Sequence, residues 1–102
     1  MVRVSILGLL FLGACSGEDV PAPPVYVNSC LTCHGDGLGG APITGDTEDW
    51  SRRVAKGLST VHKNAIDGFE GTTGIMPAKG GRMDLSDEEI IALVNYMVAA
   101  SR

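Results

Sequence analysis

The segment Cys30-Leu31-Thr32-Cys33-His34 contains the residues of this chain whose types and spacing carry the most specific chemistry. On a helix, two thiols three residues apart and an imidazole four residues after the first thiol project to one side. Each thiol can then form a thioether with a haem vinyl group, while the imidazole binds iron. Because Cys-x-x-Cys-His is the spacing of covalent haem attachment, the sequence predicts one covalently bound haem, held by Cys30, Cys33 and His34.

Other uses of a Cys-x-x-Cys pair fit the chain less well. A thioredoxin-like redox pair belongs beside a strand-helix-strand pattern, which the sequence lacks. A structural zinc site needs four ligands, but the further candidates are His34, adjacent to Cys33, and His62, which has no partner histidine at finger spacing. A chance occurrence of the motif is disfavoured by the agreement of the rest of the chain with a haem protein.

The size and charge of the chain narrow the class of protein further. Its 102 residues allow one domain, and so small a domain buries little apolar surface unless a large cofactor adds to its core. Aromatic residues make up 5% of the chain, which is few for an ordinary core. The formal net charge of −4, without a basic cluster, excludes a nucleic-acid-binding surface.

Residues 1–14 have the layout of a secretory signal rather than of a folded element. A basic residue, Arg3, precedes an apolar run over residues 4–12 and the small residues Gly13 and Ala14. The run is too short to span a bilayer. The sequence therefore predicts that the protein is exported.

The segment Leu12-Gly13-Ala14-Cys15 resembles the lipobox of bacterial lipoproteins, which implies that Cys15 is lipidated and becomes the first mature residue. A plain signal peptide cut near Ala14 is the alternative, but it leaves an unpaired, exposed thiol in an oxidising compartment. We therefore predict a signal peptide over residues 1–14, a lipid-anchored, proline-rich tether over 15–25 and a folded domain over 26–102. The anchor would hold the domain on a bacterial membrane, facing the periplasm.

Cap residues and apolar periodicity predict an all-α domain of about four short helices. Pro24 is suited to a helix start, and Gly35 can end that helix in the left-handed conformation. Asp46 and Gly57 bound a second helix over residues 47–56, and a third follows over 59–67. Ser86 and Glu89 form a capping box at the start of the last helix. Residues 71–74 are expected to be a loop, and no strand pattern of useful length occurs.

A glycine-rich segment over residues 35–40 matches the spacing of a dinucleotide-binding fingerprint, through Gly35, Gly37 and Gly40. The match is misleading, since it follows a helix instead of a strand and opens no helix. A turn that brings backbone close to the haem edge is the simpler interpretation.

Taken together, these features resemble the small class I c-type cytochromes of the bacterial cytochrome c-five type, over residues 26–98. The similarity rests on ordered blocks at residues 30–34, 40–42, 50–57, 76–81 and 85–89. It implies a class I cytochrome c fold around a single haem c. It also implies that Met76 is the distal ligand of iron, opposite His34, and that the Pro42 carbonyl accepts a hydrogen bond from the proximal imidazole.

The residues themselves favour Met76 as a ligand but leave alternatives open. Pro77 stiffens the backbone directly after the sulfur, and nearby glycines allow the loop to fold across a haem face. Met83 lacks the following proline, and Met97 lies on the apolar stripe of the last helix, where core packing is expected. His62 is the main competitor, because imidazole binds haem iron well. For Trp50, a hydrogen bond to a haem propionate and simple core packing remain equally open.

An iron with both axial positions filled has no open site for a small ligand, which favours a one-electron carrier over an enzyme. The predicted partners are membrane-bound oxidases, reductases or dehydrogenases, with no small-molecule substrate. One alternative is a fixed cytochrome subunit of a larger oxidoreductase. A haem-based sensor or peroxidase is the other, although no distal acid-base pair is evident in the sequence.

Overall fold

The computed structural model describes residues 20–102, and it confirms the predicted all-α class. Its secondary structure comprises five α-helices and one short antiparallel hairpin: α1 (Pro24–Val27), α2 (Leu31–His34), α3 (Thr47–Ala55), α4 (Leu58–Asp67), β1 (Phe69–Glu70), β2 (Ile75–Met76) and α5 (Asp87–Ala100). Two 3₁₀ turns, Leu38–Gly40 and Ala78–Gly81, complete the description. Within residues 20–102, no helix is both long enough and apolar enough to cross a membrane.

The first predicted helix is wrong in one respect, because it is divided into α1 and α2. The Ser29 hydroxyl donates to the Val25 carbonyl, which would otherwise accept from the Ser29 backbone N–H in a continuous helix. The Ser29 N–H donates instead to the Tyr26 carbonyl, at 3.2 Å. This shorter bond interrupts the helical hydrogen-bond register just before the Cys-x-x-Cys-His segment.

The predicted left-handed cap at Gly35 is also wrong. Gly35 has right-handed helical angles, with φ −75° and ψ −51°. The Gly37 N–H still bonds to the Cys33 carbonyl at 3.0 Å, and Gly37 is the first left-handed residue, with φ 83°. The chain therefore leaves the helical path two residues later than the sequence indicates.

The caps of the remaining helices agree with the sequence. The Asp46 carboxylate accepts from the Asp49 N–H at 3.2 Å, and α3 ends just before Gly57. Helix α4 begins one residue earlier than predicted and ends before Gly68. At α5, Ser86 and Glu89 form both hydrogen bonds of the capping box, each at 3.1 Å.

Helix α5 supplies most of the core and packs against α4. Its buried side chains recur at helical spacing and lie against side chains from α1, α3 and α4. The buried apolar residues of the core are Tyr26, Trp50, Ala65, Leu85, Ile90, Leu93, Val94, Met97 and Val98. The end of α5 is attached to the loop after α2, because the buried Ser101 hydroxyl accepts from the Gly45 N–H at 2.8 Å. This hydrogen bond holds the C-terminal end of the domain against the loop between α2 and α3.

The hairpin presents Met76 next to the end of α4. Strands β1 and β2 pair with Phe69 opposite Met76, and residues 71–74 form the loop between them, as predicted. Gly68, with φ 87°, lies so close to the following turn that an added Cβ would be 3.0 Å from the Met76 carbonyl oxygen. A glycine is therefore required where α4 meets the Met76 segment.

Candidate haem-binding site

A cavity of about 320 Å³ opens among α2, α4, α5, the loop over residues 38–42, and the hairpin with the turn that follows it. All five residues that the sequence analysis assigned to haem within the described chain line it: Cys30, Cys33, His34, Pro42 and Met76. Most of the other side chains that line it are apolar, among them Leu93 and Met97. The fold thus gathers residues from distant parts of the sequence around one space.

His34 is held in one orientation by the loop that follows α2. Its side chain is buried, and its Nδ1 atom lies 2.7 Å from the Pro42 carbonyl oxygen. A carbonyl oxygen only accepts, so Nδ1 carries the proton and donates to it. The Nε2 atom therefore keeps its lone pair and can bind a metal. The hydrogen bond expected between His34 and Pro42 is present in the structure.

The two thiols of the motif differ in their surroundings, and they are not joined in a disulfide. Cys30 is half-buried, whereas Cys33 is exposed. Burial raises the pKa of the Cys30 thiol above its ordinary value, and the neighbouring Ser29 hydroxyl opposes this in part. Cys30 therefore favours its neutral form, while both sulfurs remain available for covalent bonds.

Among the four candidates for a distal ligand, the structure brings only Met76 and Met97 to the cavity. Met97 is 3% exposed and packs in the core on α5, whereas Met76 is partly exposed on β2. Met83 is 68% exposed and does not line the cavity. The His62 imidazole is directed to α5, where its Nε2 atom lies 2.7 Å from the Asn95 side-chain oxygen.

The residues around the cavity fit a haem. An imidazole with a free Nε2, a soft thioether and two thiols are the donor set of covalent haem with histidine and methionine ligands. The charged side chains that line the cavity in the described chain are all cationic, namely Arg53, Lys56 and Lys79. Arg53 is paired with Asp49 and Lys79 with Asp87, whereas Lys56 could pair with one of the two carboxylates that a haem carries.

Three features of the site were left open by the sequence or were absent from the sequence-based prediction. Trp50 does not offer its ring N–H to the cavity, because Nε1 donates to the Ile43 carbonyl at 2.9 Å. Sequence reasoning missed Leu38 and Ile75, which line the cavity and are 62% and 72% exposed. It also missed the contacts of the Lys79 ammonium group with the Leu85 carbonyl and the Asp87 carboxylate. Leu38 lies in a short turn and Ile75 on a two-residue strand, and segments this short show no periodicity, so no sequence signal marked them.

Comparison with known proteins agrees with this geometry. A family model described as "Cytochrome C oxidase, cbb3-type, subunit III" matches residues 22–97. The chain belongs to the class I monohaem c-type cytochromes. It is therefore an electron-transfer protein and not an enzyme, and its cofactor is one covalently bound haem c with iron.

Within that class, two groups of relatives are similar over nearly their full length. Cytochrome c-555 of Chlorobaculum tepidum is 46% identical, over 99% of this chain and 96% of the relative. Cytochrome c5 of Azotobacter vinelandii is 39% identical, over 83% of this chain and 94% of the relative.

The fold is also similar to a solved cytochrome c. That chain comes from a crystal structure of an electron-transfer complex of nitrite reductase with cytochrome c. It superposes with a TM-score of 0.67 and 28% identity, over 80% of this chain and 100% of the solved one. The arrangement of helices described above is therefore the class I cytochrome c fold.

Proposed function

We propose that this cytochrome carries single electrons between membrane-associated redox proteins, with His34 and Met76 as the axial ligands of iron and Cys30 and Cys33 as its thioether attachments. The observation that carries this proposal is the buried His34 imidazole. Its Nδ1 proton is held by the Pro42 carbonyl at 2.7 Å, and it shares a cavity with the Met76 side chain. Haem iron, when bound, supplies the one-electron couple between ferrous and ferric states.

The residues around the cavity support electron transfer in separate ways. The Pro42 carbonyl fixes the His34 tautomer and strengthens its donation through Nε2. Apolar side chains from α5 keep water from the space, which together with a methionine ligand favours the ferrous state. Lys56 would offset the charge of the haem carboxylates at the cavity, where Arg53 is paired with Asp49 at 3.1 Å. None of these contributions requires a moving part, which suits repeated oxidation and reduction.

A histidine and a methionine ligand together leave no open coordination site, and this favours a carrier over a sensor or peroxidase. The one further histidine of the described chain, His62, bonds to Asn95 rather than lining the cavity. Peroxide chemistry would need a distal acid-base group near iron. A carrier is therefore the function that this set of residues supports best.

We also propose that Cys15 bears a lipid that attaches the protein to a bacterial membrane on its periplasmic side. The support is the lipobox-like segment Leu12-Gly13-Ala14-Cys15 after an apolar signal. Residues 1–19 lie outside the described part of the chain, so the proposed boundary at residue 14 rests on sequence, whereas the boundary at residue 25 falls within α1. A tether with a lipid raises the concentration of the carrier near membrane-bound partners.

A fixed place in a larger oxidoreductase is the second candidate. The matching family model is named for subunit III of a cbb3-type oxidase, and the solved relative was crystallised with nitrite reductase. Both names associate such domains with terminal redox enzymes. A partner of this kind is compatible with either a free carrier or a subunit.

The proposal is tested with the matured holoprotein by a redox titration and by exposure of the ferrous form to carbon monoxide. We expect a single one-electron wave and poor carbon monoxide binding, because the thioether competes for iron. Rapid, tight binding of carbon monoxide by the wild-type protein would instead identify a ligand-binding haem protein. Co-purification of the detergent-solubilised protein in fixed ratio with other redox subunits would favour the second candidate.

A further inference from the structure

Within residues 20–102, Lys79 is the only residue other than glycine with a positive φ angle. Its φ and ψ angles are 54° and 25°, and it lies in the Ala78–Gly81 turn that directly follows Met76 and Pro77. Left-handed backbone is unfavourable for a residue with a Cβ, and it persists where surrounding contacts hold it. Two backbone hydrogen bonds close the turn, from Gly80 to Pro77 and from Arg82 to Lys79, and the Lys79 side chain makes further contacts.

The Lys79 side chain joins the turn to the start of α5. Its Nζ atom donates to the Leu85 carbonyl oxygen at 2.7 Å and lies 2.9 Å from the Asp87 carboxylate. The side chain is 14% exposed, whereas Lys63 in the ion pair on α4 is 75% exposed. Charge-assisted hydrogen bonds in such a partly buried place are stronger than surface pairs. Lys79 is thus a firm contact between the Met76 segment and α5.

The opposite side of the same segment is held by α4 and the hairpin. A Cβ on Gly68 would lie 2.9 Å from the Ala78 backbone nitrogen, and Phe69 pairs with Met76 across the hairpin. These contacts fix the segment as far as Ala78. Beyond that residue, the Lys79 side chain provides the attachment to α5.

We propose that Lys79 is a positioning residue for the Met76 thioether: its contacts with Leu85 and Asp87 keep the turn, and with it the sulfur, at the cavity. This inference rests on the proposed role of Met76 as axial ligand. A ligand held by a fixed segment acts on iron at a high effective concentration, and an external ligand must displace it. Loosening the turn lowers that concentration and favours the external ligand.

The experiment compares matured holoprotein variants by their affinity for carbon monoxide in the ferrous state and by the methionine-to-iron charge-transfer band in the ferric state. We expect Lys79→Gln to bind carbon monoxide about tenfold more tightly than wild type, as the loss of a charge-assisted hydrogen bond predicts, and to show a weaker band. Lys79→Arg should stay close to wild type in carbon monoxide affinity and in the strength of the band, since arginine keeps the positive charge and the hydrogen-bond donors. Lys63→Gln is the matched control, because it breaks an exposed lysine–aspartate pair within α4 that does not line the cavity, and it should match wild type. The reduction potential does not separate the two roles, because removing a charge near iron shifts it directly.

Two further variants separate the possible failures. Met76→Ala should lose the charge-transfer band. If it does, and Lys79→Gln equals wild type in carbon monoxide affinity and in the band, the positioning role of Lys79 is overturned and the assignment of Met76 as ligand stands. If Met76→Ala keeps the band, the ligand assignment and the inference that rests on it both fall. If Lys79→Gln does not accumulate as holoprotein, Asp87→Asn takes its place in the test, because it removes the acidic partner of Lys79. A severalfold gain in carbon monoxide affinity supports the inference, and a wild-type value overturns it.

Discussion

His34 and Met76 reach the cavity with different degrees of constraint. His34 is buried and its ring is fixed by the Pro42 carbonyl, so its orientation depends on a single strong hydrogen bond. Met76 is partly exposed and has no fixed polar partner of its own, so its position depends on the backbone that carries it. The methionine is therefore the more sensitive of the two proposed ligands.

Replacing Met76 by alanine removes the proposed sixth ligand of iron. We expect the ferric charge-transfer band to disappear and the reduction potential to fall, because water, hydroxide or another nitrogen donor favours ferric iron more than sulfur does. Spectroscopy and a redox titration of the matured variant measure both. Met83→Ala and His62→Ala serve as controls, since neither side chain lines the cavity, and both should behave as wild type. Loss of the band in either control, with its retention in Met76→Ala, would contradict the assignment.

Two loops cross at the mouth of the cavity, and their backbones are in contact. The Leu38–Gly40 turn meets the loop between the strands, where Gly40 faces the Thr73 carbonyl and Gly74 faces the Gly39 carbonyl. Side chains are excluded there by the opposing carbonyl groups. The approach of these loops sets how much of the cavity edge remains open.

Gly40 and Gly39 offer a matched pair for testing that contact. Both have positive φ angles, 81° and 64°, so an alanine at either position carries a similar backbone strain of about 1 kcal/mol. An alanine Cβ at Gly40 would also overlap the Thr73 carbonyl, whereas at Gly39 it meets no atom within 4 Å. We expect Gly40→Ala to lower the free energy of unfolding by about 1–3 kcal/mol more than Gly39→Ala, as overpacking typically does. Denaturant unfolding of the holoproteins measures the difference, and equal losses would show that the loops separate freely.

The whole molecule combines an acidic domain with a proposed membrane anchor. The full chain has a formal net charge of −4, which provides no overall electrostatic attraction to anionic lipid, and the proposed lipid would supply the membrane association instead. Helices of the described chain offer no membrane span. The lipid on Cys15 is therefore the feature on which localisation depends in this proposal.

Cys15→Ala tests the anchor without touching the haem site. We expect the variant to move from the membrane fraction to the soluble fraction, with the haem content of the recovered protein unchanged, because Cys30 and Cys33 supply the thioethers. Fractionation of cells followed by haem staining measures both properties. Cys15→Ser is a closer steric control and should behave in the same way. Continued membrane retention of both variants would point to a protein partner rather than a lipid.

The sequence by itself determined the features that depend on neighbouring residues. The order Cys30, Cys33, His34 identifies a haem motif. On one helical turn, the spacing of these residues fixes the relative positions of the two thiols and the imidazole. The capping box of Ser86 and Glu89 and the start of α3 at Asp46 are equally local, and both agree with the structure. The break between α1 and α2 escaped prediction, because it depends on competition by one serine hydroxyl for a carbonyl.

Only the tertiary structure decided which distant residues meet. His62 and Met83 have ligand chemistry comparable to that of Met76, yet the packing of α4 on α5 directs His62 to Asn95 and leaves Met83 exposed. The contact of Lys79 with Leu85 and Asp87 likewise depends on where the Met76 turn meets α5. Residue types and helical periods specify which face of an element is apolar, but the relative placement of two elements follows from the packing of all of them.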